Sequence, residues 1–132
     1  MKLLLVGGTG VLSRAVVDLS LDFGYNVYVL NRGKRGVSPD VHLLQSDIND
    51  KTRVNSLIND LYFDVVVDFI GYTKTQVEGR INIFKGKCNQ YIYISSTAVF
   101  ATAGEKIINE ESPLINQLWQ YGVDKVACEN TV

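Results

Sequence analysis

Histidine, cysteine and long apolar runs are scarce in this chain, and their scarcity removes several classes of site. The chain has one histidine, His42, and two cysteines, Cys88 and Cys128, among 132 residues. The cysteines are far apart and form no Cys-x-x-Cys or Cys/His cluster, so neither a metal site nor a redox motif is indicated, and buried thiols in a reducing compartment are expected. The apolar run at residues 3–6 is too short for a signal peptide or a membrane span. A cytoplasmic protein is therefore expected.

The chain also lacks an excess of either charge. It has 13 Lys and Arg against 14 Asp and Glu, a formal net charge of −1, and 46% hydrophobic residues, which is typical of a soluble globular protein. Nucleic acids and anionic membranes attract basic surfaces, so this balance favours neither as a partner and leaves small molecules. The length fits a single domain, and we predict one over residues 1–132.

Short runs rich in Val, Ile and Leu alternate with segments of helical spacing. The runs at residues 2–6, 26–30, 41–45, 64–69 and 90–95 predict strands buried on both faces. Helices are predicted at about 10–23, 50–61 and 75–85 and from near Trp119 onward, with a polar loop at 31–40. This alternation predicts a doubly wound α/β fold with a parallel sheet and three α/β/α layers. Among folds of this class we expect the Rossmann type, whose strand order is 3-2-1-4-5.

The turn between the first strand and the first helix, GGTGVLS, is rich in glycine. A phosphate can lie against a helix N-terminus only where the backbone comes close, which is why glycines are favoured at such a turn. The spacing departs from the Gly-x-Gly-x-x-Gly dinucleotide fingerprint because Ser13 replaces the last glycine, and an ordinary Gly-rich turn remains the alternative. The residues of this turn predicted to bind a cofactor are Gly7, Thr9, Gly10, Val11 and Leu12.

The end of the second strand indicates which dinucleotide would be bound. NAD-binding proteins usually place a carboxylate there for the ribose hydroxyls, whereas this chain has Asn31. A neutral side chain removes repulsion toward a 2′-phosphate, and Arg32 or Arg35 can hold that phosphate with charge-assisted bonds. NADP is therefore favoured over NAD. The alternative is a solvated basic loop that does not contact the cofactor.

Two further positions are candidates for contact with the same ligand. Asp47 follows the third strand and could accept a hydrogen bond from the adenine amine, with the Ile48 backbone beside the ring. A helix N-cap is an equally good interpretation of this segment. Gly71, after the fourth strand, is predicted to let the backbone pass close to the cofactor, with a plain turn glycine as the alternative.

Taken together, these segments resemble a known family. GGTGVLS, SDIND, FDVVVDFIGY, YIYISSTAVF and YGVDK occur in the order and at roughly the spacing found in the short-chain dehydrogenase/reductase superfamily. More narrowly, the chain resembles the extended branch of NAD(P)-dependent epimerases and dehydratases. The resemblance implies an oxidoreductase or an epimerase/dehydratase that acts on a sugar-nucleotide or similar hydroxyl/carbonyl substrate with NADP or NAD. A homodimer is the assembly that it suggests for a full-length protein.

The resemblance also implies catalytic residues. Tyr121 matches the family's catalytic tyrosine and Lys125 its lysine, and residues four apart share one face of a helix. A nearby ammonium favours the phenolate, which suits general acid/base work, and by family analogy the lysine also bonds the nicotinamide ribose. Ser96, with Thr97 as a second candidate, would hold the substrate oxygen. The alternative for both is that they are ordinary polar residues at a strand end.

The chain departs from the family pattern in three places. Phe100–Ala101 stands where many extended members have Tyr-Gly, and Thr75–Gln76 lies near the usual position of an active-site Asn. Extended members also continue into a substrate-binding region, so we expect this chain to be the N-terminal portion of a longer protein and to be inactive alone. A non-catalytic relative that senses NADP or binds RNA is the alternative, because LNRG is similar to a group with RNA-binding members. A structural fragment without a ligand would leave the glycine turn unexplained.

Overall fold

The computed structural model describes residues 1–100, 107–114, 116 and 118–132. Strands and helices alternate along the chain as the sequence predicts. The strands are β1 Lys2–Val6, β2 Asn26–Asn31, β3 His42–Gln45, β4 Phe63–Asp68 and β5 Cys88–Tyr93. The helices are α1 Val11–Asp22, α2 Lys51–Leu57, α3 Lys74–Phe84 and α4 Gln120–Glu129, with a 3₁₀ turn at Thr97–Val99.

The five strands form one parallel sheet in the order β3-β2-β1-β4-β5. The predicted fold class and strand order are confirmed. β1 pairs with β2 on one side and β4 on the other, so the direction of winding reverses between β1 and β4. Ligands of open α/β sheets bind at the carboxyl ends of the strands, at such a reversal. The loops after β1 and β4 are therefore the expected walls of a binding cleft.

Apolar side chains cover both faces of the sheet. Alternate residues of β1 point to opposite faces, so Leu4 packs in a cluster with Val54 of α2 and Phe84 of α3, whereas Leu3 and Val17 of α1 belong to the opposite cluster. Helices therefore lie on both faces, which confirms the predicted three layers. In the described part of the chain, no helix has both the length and the apolar character needed to cross a bilayer.

The outermost strands differ from the prediction. Burial on both faces is wrong for β3, where only Leu44 is partly shielded and the other three residues are exposed. The physical reason is position, because an edge strand has a neighbour on only one side. The bounds of the last strand also differ from the prediction: β5 was predicted at 90–95, but it begins at Cys88 and ends at Tyr93. Cys128 is buried as expected, but Cys88 on this second edge strand is only partly buried.

Candidate cofactor cleft

Backbone geometry in the glycine turn requires glycine. Gly7 has a φ of +102°, and a Cβ there would lie 2.7 Å from Cγ2 of Ile70, so a side chain is excluded by both conformation and space. Gly10 is the N-cap of α1, with room around its Cα. Ser13, which breaks the expected glycine pattern, is buried, and its Oγ accepts a hydrogen bond of 2.9 Å from the Gly10 amide. The start of α1 is therefore ordered and accessible.

Two adjoining cavities lie over the carboxyl ends of the strands. The first cavity, about 490 Å³, is bounded by the glycine turn and the segments that follow β2 and β3. The second cavity, about 970 Å³, extends from the glycine turn past the ends of β4 and β5 to α4. Both are lined by Gly7, Gly10, Ile70 and Tyr72. The glycine turn is therefore the common wall of one extended cleft.

Cationic side chains dominate the first cavity. Arg32, Lys34 and Arg35 line it, with Asp47 as the single carboxylate among its described lining residues. Nη1 of Arg35 donates to the Thr9 carbonyl at 3.2 Å, which ties the loop after β2 to the glycine turn. Arg32 and Lys34 are exposed. This end of the cleft suits an anionic group.

Asn31 closes the same cavity at the end of β2. Its Oδ1 accepts a hydrogen bond of 2.6 Å from the Gly33 amide, which fixes the side chain in an Asx turn. Its Nδ2 is buried and has no hydrogen-bond partner among the described residues. A buried donor without a partner is costly, so a ligand acceptor would satisfy it.

For the segment after β3, the sequence allows adenine contact and helix capping equally, and the structure shows which residue is the cap. The N-cap of α2 is Asp50, whose carboxylate accepts from the Arg53 amide at 3.0 Å. The capping interpretation is therefore wrong for Asp47, which instead accepts from the backbone and side chain of Asn49 at the cavity wall. The Ile48 side chain is buried in the core against α2 and α3 while the residue lines the first cavity.

Lys125 is buried at the back of the second cavity, with only 1% of the residue exposed. Its ammonium donates to the Gly71 carbonyl at 2.9 Å, to the Tyr93 hydroxyl at 2.8 Å and to the Ile94 carbonyl at 3.2 Å. Burial lowers the pKa of this lysine from its usual range. The family resemblance identifies Lys125 from the sequence, but it does not reveal these three acceptors.

Three tyrosine rings surround the Lys125 ammonium. The Nζ atom lies 4.7 Å from the ring centroid of Tyr93, 5.4 Å from that of Tyr72 and 5.8 Å from that of Tyr121. Ring faces attract cations, and this stabilises a buried ammonium. Tyr121 is 38% exposed and lines the second cavity, so its phenol is accessible to a ligand there.

The segment after β5 brings hydroxyls to Tyr121. Ser96 and Thr97, the two residues predicted to bind substrate, both line the second cavity. Oγ of Ser96 accepts from the Ala98 amide at 3.2 Å and so begins the 3₁₀ turn, which leaves its proton free to be donated. Oγ of Ser95 is buried with no hydrogen-bond partner among the described residues. Val11 and Leu12 line the opposite side and are largely exposed.

Gly71 lies behind the cleft wall. It is buried, and a Cβ there would lie 2.9 Å from the side chains of both Tyr93 and Val77. Its carbonyl accepts from Lys125 and from the Tyr93 hydroxyl. Packing therefore requires a glycine at this position, and its flanking residues Ile70 and Tyr72 line the cavities.

A buried ion pair supports the same wall and was missed by sequence reasoning. Nη1 of Arg80 on α3 lies 3.0 Å and 2.9 Å from the two carboxylate oxygens of Asp68 at the end of β4. The Tyr91 hydroxyl donates to Asp68 at 2.8 Å, and the Ile70 amide donates to it at 2.9 Å. The signal available in the sequence was an Asp within an otherwise apolar strand, since a buried carboxylate requires partners.

The positions that depart from the family pattern have structural roles where the structure describes them. Gln76 lines the first cavity, and its Oε1 accepts from the Tyr72 amide at 3.0 Å. Thr73 caps α3 by accepting from the Gln76 amide, and Thr75 is exposed. Phe100 lines the second cavity, whereas Ala101 lies outside the described residues.

The sequence model of the NAD-dependent epimerase/dehydratase family matches residues 3–132. The chain belongs to this family. A UDP-glucose 4-epimerase of Lactobacillus helveticus is 25% identical over a 150-residue alignment that covers 98% of this chain and 45% of that protein. These findings give no support to the RNA-binding alternative.

Solved structures show the same fold. The crystal structure of UDP-glucose 4-epimerase from Bifidobacterium longum, in complex with NAD+ and UDP, matches this epimerase/dehydratase domain with a TM-score of 0.85 at 19% identity, covering 98% of this chain and 47% of that one. The dTDP-glucose 4,6-dehydratase of Bacillus anthracis, in complex with NAD, gives a TM-score of 0.80 at 16% identity, covering 98% and 48%. The chain spans about half the length of these relatives.

Proposed function

We propose that this chain binds a nicotinamide dinucleotide along the cleft, as the cofactor domain of a longer epimerase, dehydratase or related oxidoreductase of sugar nucleotides. The adenosine half lies in the first cavity and the nicotinamide half in the second. The observation that carries this proposal is the continuity of the two cavities through Gly7 and Gly10. The relatives with the same fold include an epimerase and a dehydratase in complex with this class of cofactor.

The residues present fit such a group. Gly10 leaves the first turn of α1 open, and no acidic residue in that turn would repel a pyrophosphate. The unpaired Nδ2 of Asn31 is a donor suited to a ribose oxygen. The cavity order places these groups at one end of the cleft and Lys125 at the other.

We further propose that NADP is preferred over NAD. Asn31 is neutral where a carboxylate would repel a 2′-phosphate, and Arg32, Lys34 and Arg35 line the cavity around it. Of these, Arg32 is the best candidate for the phosphate, since the Arg35 guanidinium already donates to the Thr9 carbonyl.

Calorimetric titration with NADPH and NADH tests this preference. Arg32→Ala should weaken NADPH binding about tenfold, the effect of losing one charge-assisted contact, and leave NADH binding unchanged. Asn31→Asp should shift the preference toward NADH. Arg53→Ala, which removes the same charge from an exposed position on α2 outside both cavities, is the matched control. Equal affinities for NADPH and NADH in the unchanged chain would exclude the NADP preference.

The proposed catalytic roles belong to three residues of the second cavity. A bound dinucleotide supplies hydride transfer. Tyr121 exchanges a proton with the substrate hydroxyl, Lys125 places positive charge beside that phenol, and Ser96 donates a hydrogen bond to the substrate oxygen. The supporting geometry is the 5.8 Å between the Lys125 ammonium and the Tyr121 ring, with both residues lining the cavity.

The Tyr121→Phe variant tests the proposed proton exchange separately from cofactor binding. The variant should bind NADPH as tightly as the unchanged protein, because the proposed role of the hydroxyl is proton exchange and not cofactor contact. Turnover of a sugar nucleotide by the longer enzyme should fall by a factor on the order of 10² to 10⁴. Tyr62→Phe, an exposed tyrosine that lines neither the first nor the second cavity, is the control. Unchanged turnover in the Tyr121 variant would remove this residue from the mechanism.

A further inference from the structure

The hydrogen bonds of Lys125 leave its ammonium without a spare donor for a ligand. A lysine ammonium carries three N–H donors and no acceptor. Each donor has a partner within the chain: the Gly71 carbonyl at 2.9 Å, the Tyr93 hydroxyl at 2.8 Å and the Ile94 carbonyl at 3.2 Å. Lys125 nevertheless lines the second cavity. A ligand hydroxyl in this cavity can therefore accept a hydrogen bond from Lys125 only if one of these three bonds is broken.

The three acceptors of Lys125 are not equivalent. The carbonyls of Gly71 and Ile94 belong to the backbone, and the Ile94 segment is itself fixed because its amide donates to the Asp68 carbonyl at 2.9 Å. The Tyr93 hydroxyl, in contrast, lies at the end of a side chain. It keeps a partner without Lys125, because its own proton is donated to the Gly71 carbonyl at 3.0 Å. The bond from Lys125 to Tyr93 is therefore the one that can be exchanged at the lowest cost.

Tyr93 lies behind the cavity wall. The residue is partly buried on β5 and belongs to the described lining of neither the first nor the second cavity. Its ring centroid is 4.7 Å from the Lys125 ammonium, and its hydroxyl is in direct contact with that group. Any effect of the Tyr93 hydroxyl on a bound ligand is therefore transmitted through Lys125 and not by contact.

We propose that Tyr93 is a positioning residue, which holds the Lys125 ammonium in the cavity wall and is replaced as its acceptor by a hydroxyl of the nicotinamide half of the dinucleotide. One hydrogen bond of the ammonium breaks and one forms, while the two backbone carbonyls remain bonded to it. The exchange itself therefore changes the free energy of binding little. This inference rests on the proposed function, because it requires a dinucleotide in the second cavity.

The exchange predicts that Tyr93→Phe binds the dinucleotide more tightly. The variant keeps the ring but loses the acceptor, so one N–H of the free ammonium has no partner at a residue that is only 1% exposed. A bound hydroxyl then supplies the missing acceptor, and the affinity should rise about tenfold. A merely structural role of Tyr93 predicts the opposite, because a loosened wall would weaken binding.

Calorimetry measures this effect with whichever of NADPH and NADH the chain binds more tightly, and with the matching adenosine fragment, adenosine 2′,5′-bisphosphate or ADP. The fragment lacks the nicotinamide half, so its affinity should be the same in both proteins. Tyr91→Phe is the matched control, since Tyr91 lies on the same strand and its hydroxyl donates to Asp68. It should leave dinucleotide affinity unchanged. In a Lys125→Met background, adding Tyr93→Phe should give no gain.

Three results would overturn the inference: equal or weaker dinucleotide binding in Tyr93→Phe, the same gain for the adenosine fragment, or the same gain in the Lys125→Met background. Circular dichroism checks that the variants fold. If Tyr93→Phe does not fold, NMR of the unchanged chain, isotope-labelled at the tyrosine Cζ atoms, decides. The Tyr93 resonance should then shift with the dinucleotide and not with the fragment, and its failure to shift overturns the inference.

The same titrations distinguish this inference from the proposed function. Dinucleotide binding by the unchanged chain without a gain in Tyr93→Phe contradicts only the role of Tyr93. If the unchanged chain binds neither NADPH nor NADH, the proposed function fails, and the inference fails with it.

Discussion

Lys125 shows at the scale of single residues how a buried charge is held beside the cleft. Two of its three acceptors are backbone carbonyls, of Gly71 and Ile94, and the third is the Tyr93 hydroxyl. The family resemblance identifies the lysine in the sequence, but carbonyl acceptors leave no trace in side-chain patterns. The same holds for Asp68 and Arg80, which are 12 residues apart and meet only when α3 packs on the sheet.

The two partly buried tyrosines of β5, Tyr91 and Tyr93, predict a loss of stability at alkaline pH. Burial, and next the Asp68 carboxylate, raise the pKa of Tyr91; burial, and next Cys128, raise the pKa of Tyr93. Above the unfolded value of about 10, the folded state then binds more protons than the unfolded state, so the free energy of unfolding falls as pH rises. Lys125, with its lowered pKa, acts in the opposite direction, but it is one group against these two tyrosines and the two cysteines, whose pKa values burial also raises.

Urea unfolding between about pH 8 and pH 11 measures this effect. The free energy of unfolding should fall toward pH 11 in the unchanged chain and fall less steeply in Tyr91→Phe and Tyr93→Phe. Tyr62→Phe, an exposed tyrosine, should leave the slope unchanged. If the free energy of unfolding fell with pH at the same slope in all four proteins, the Tyr91 and Tyr93 hydroxyls would not control alkaline stability.

At the scale of secondary-structure elements, the position of α4 depends on a glycine that the sequence does not single out. Gly122 is buried, and a Cβ there would lie 2.7 Å from the Asn116 side chain and 2.8 Å from the Ala98 carbonyl oxygen. The absence of a side chain therefore lets the start of α4 approach the 3₁₀ turn. This approach brings Tyr121 next to Ser96 and Thr97.

Gly122→Ala should destabilise the chain by about 1 to 3 kcal/mol because α4 must move away from the 3₁₀ turn. Gly79→Ala is the matched control, since Gly79 lies inside α3 with its nearest contact at an ordinary 3.8 Å. That variant should gain about 0.5 to 1 kcal/mol from helix propensity. Opposite shifts in thermal midpoint are expected, and a stabilised Gly122 variant would contradict the packing described here.

The elements themselves were largely predictable because their signals are local. The five strands and four helices follow from apolar runs and helical spacing, and the glycine turn follows from its place between β1 and α1. The exposure of β3 does not follow from its apolar run, but it does follow from the predicted strand order, which places this strand at an edge of the sheet.

At the scale of the whole molecule, the charged residues along the cleft can be compared with the charges of the proposed ligands. The first cavity is lined by four cationic residues, Arg32, Lys34, Arg35 and Arg80, and one carboxylate, Asp47, whereas the second is lined by Lys125 with two carboxylates, Glu110 and Glu129. A sugar nucleotide and a dinucleotide both combine anionic and neutral parts. The cleft therefore offers a distinct chemical environment to each part of the proposed ligands.

The central claim is that one dinucleotide spans the first and second cavities. The most direct test is to titrate an isotope-labelled chain with NADPH and follow its backbone amide resonances by NMR. The account predicts that amides of the glycine turn, of the loop after β2 and of residues 94–97 shift together, with a single dissociation constant. Resonance shifts confined to the residues of one cavity, or no resonance shifts at either cavity, would contradict it.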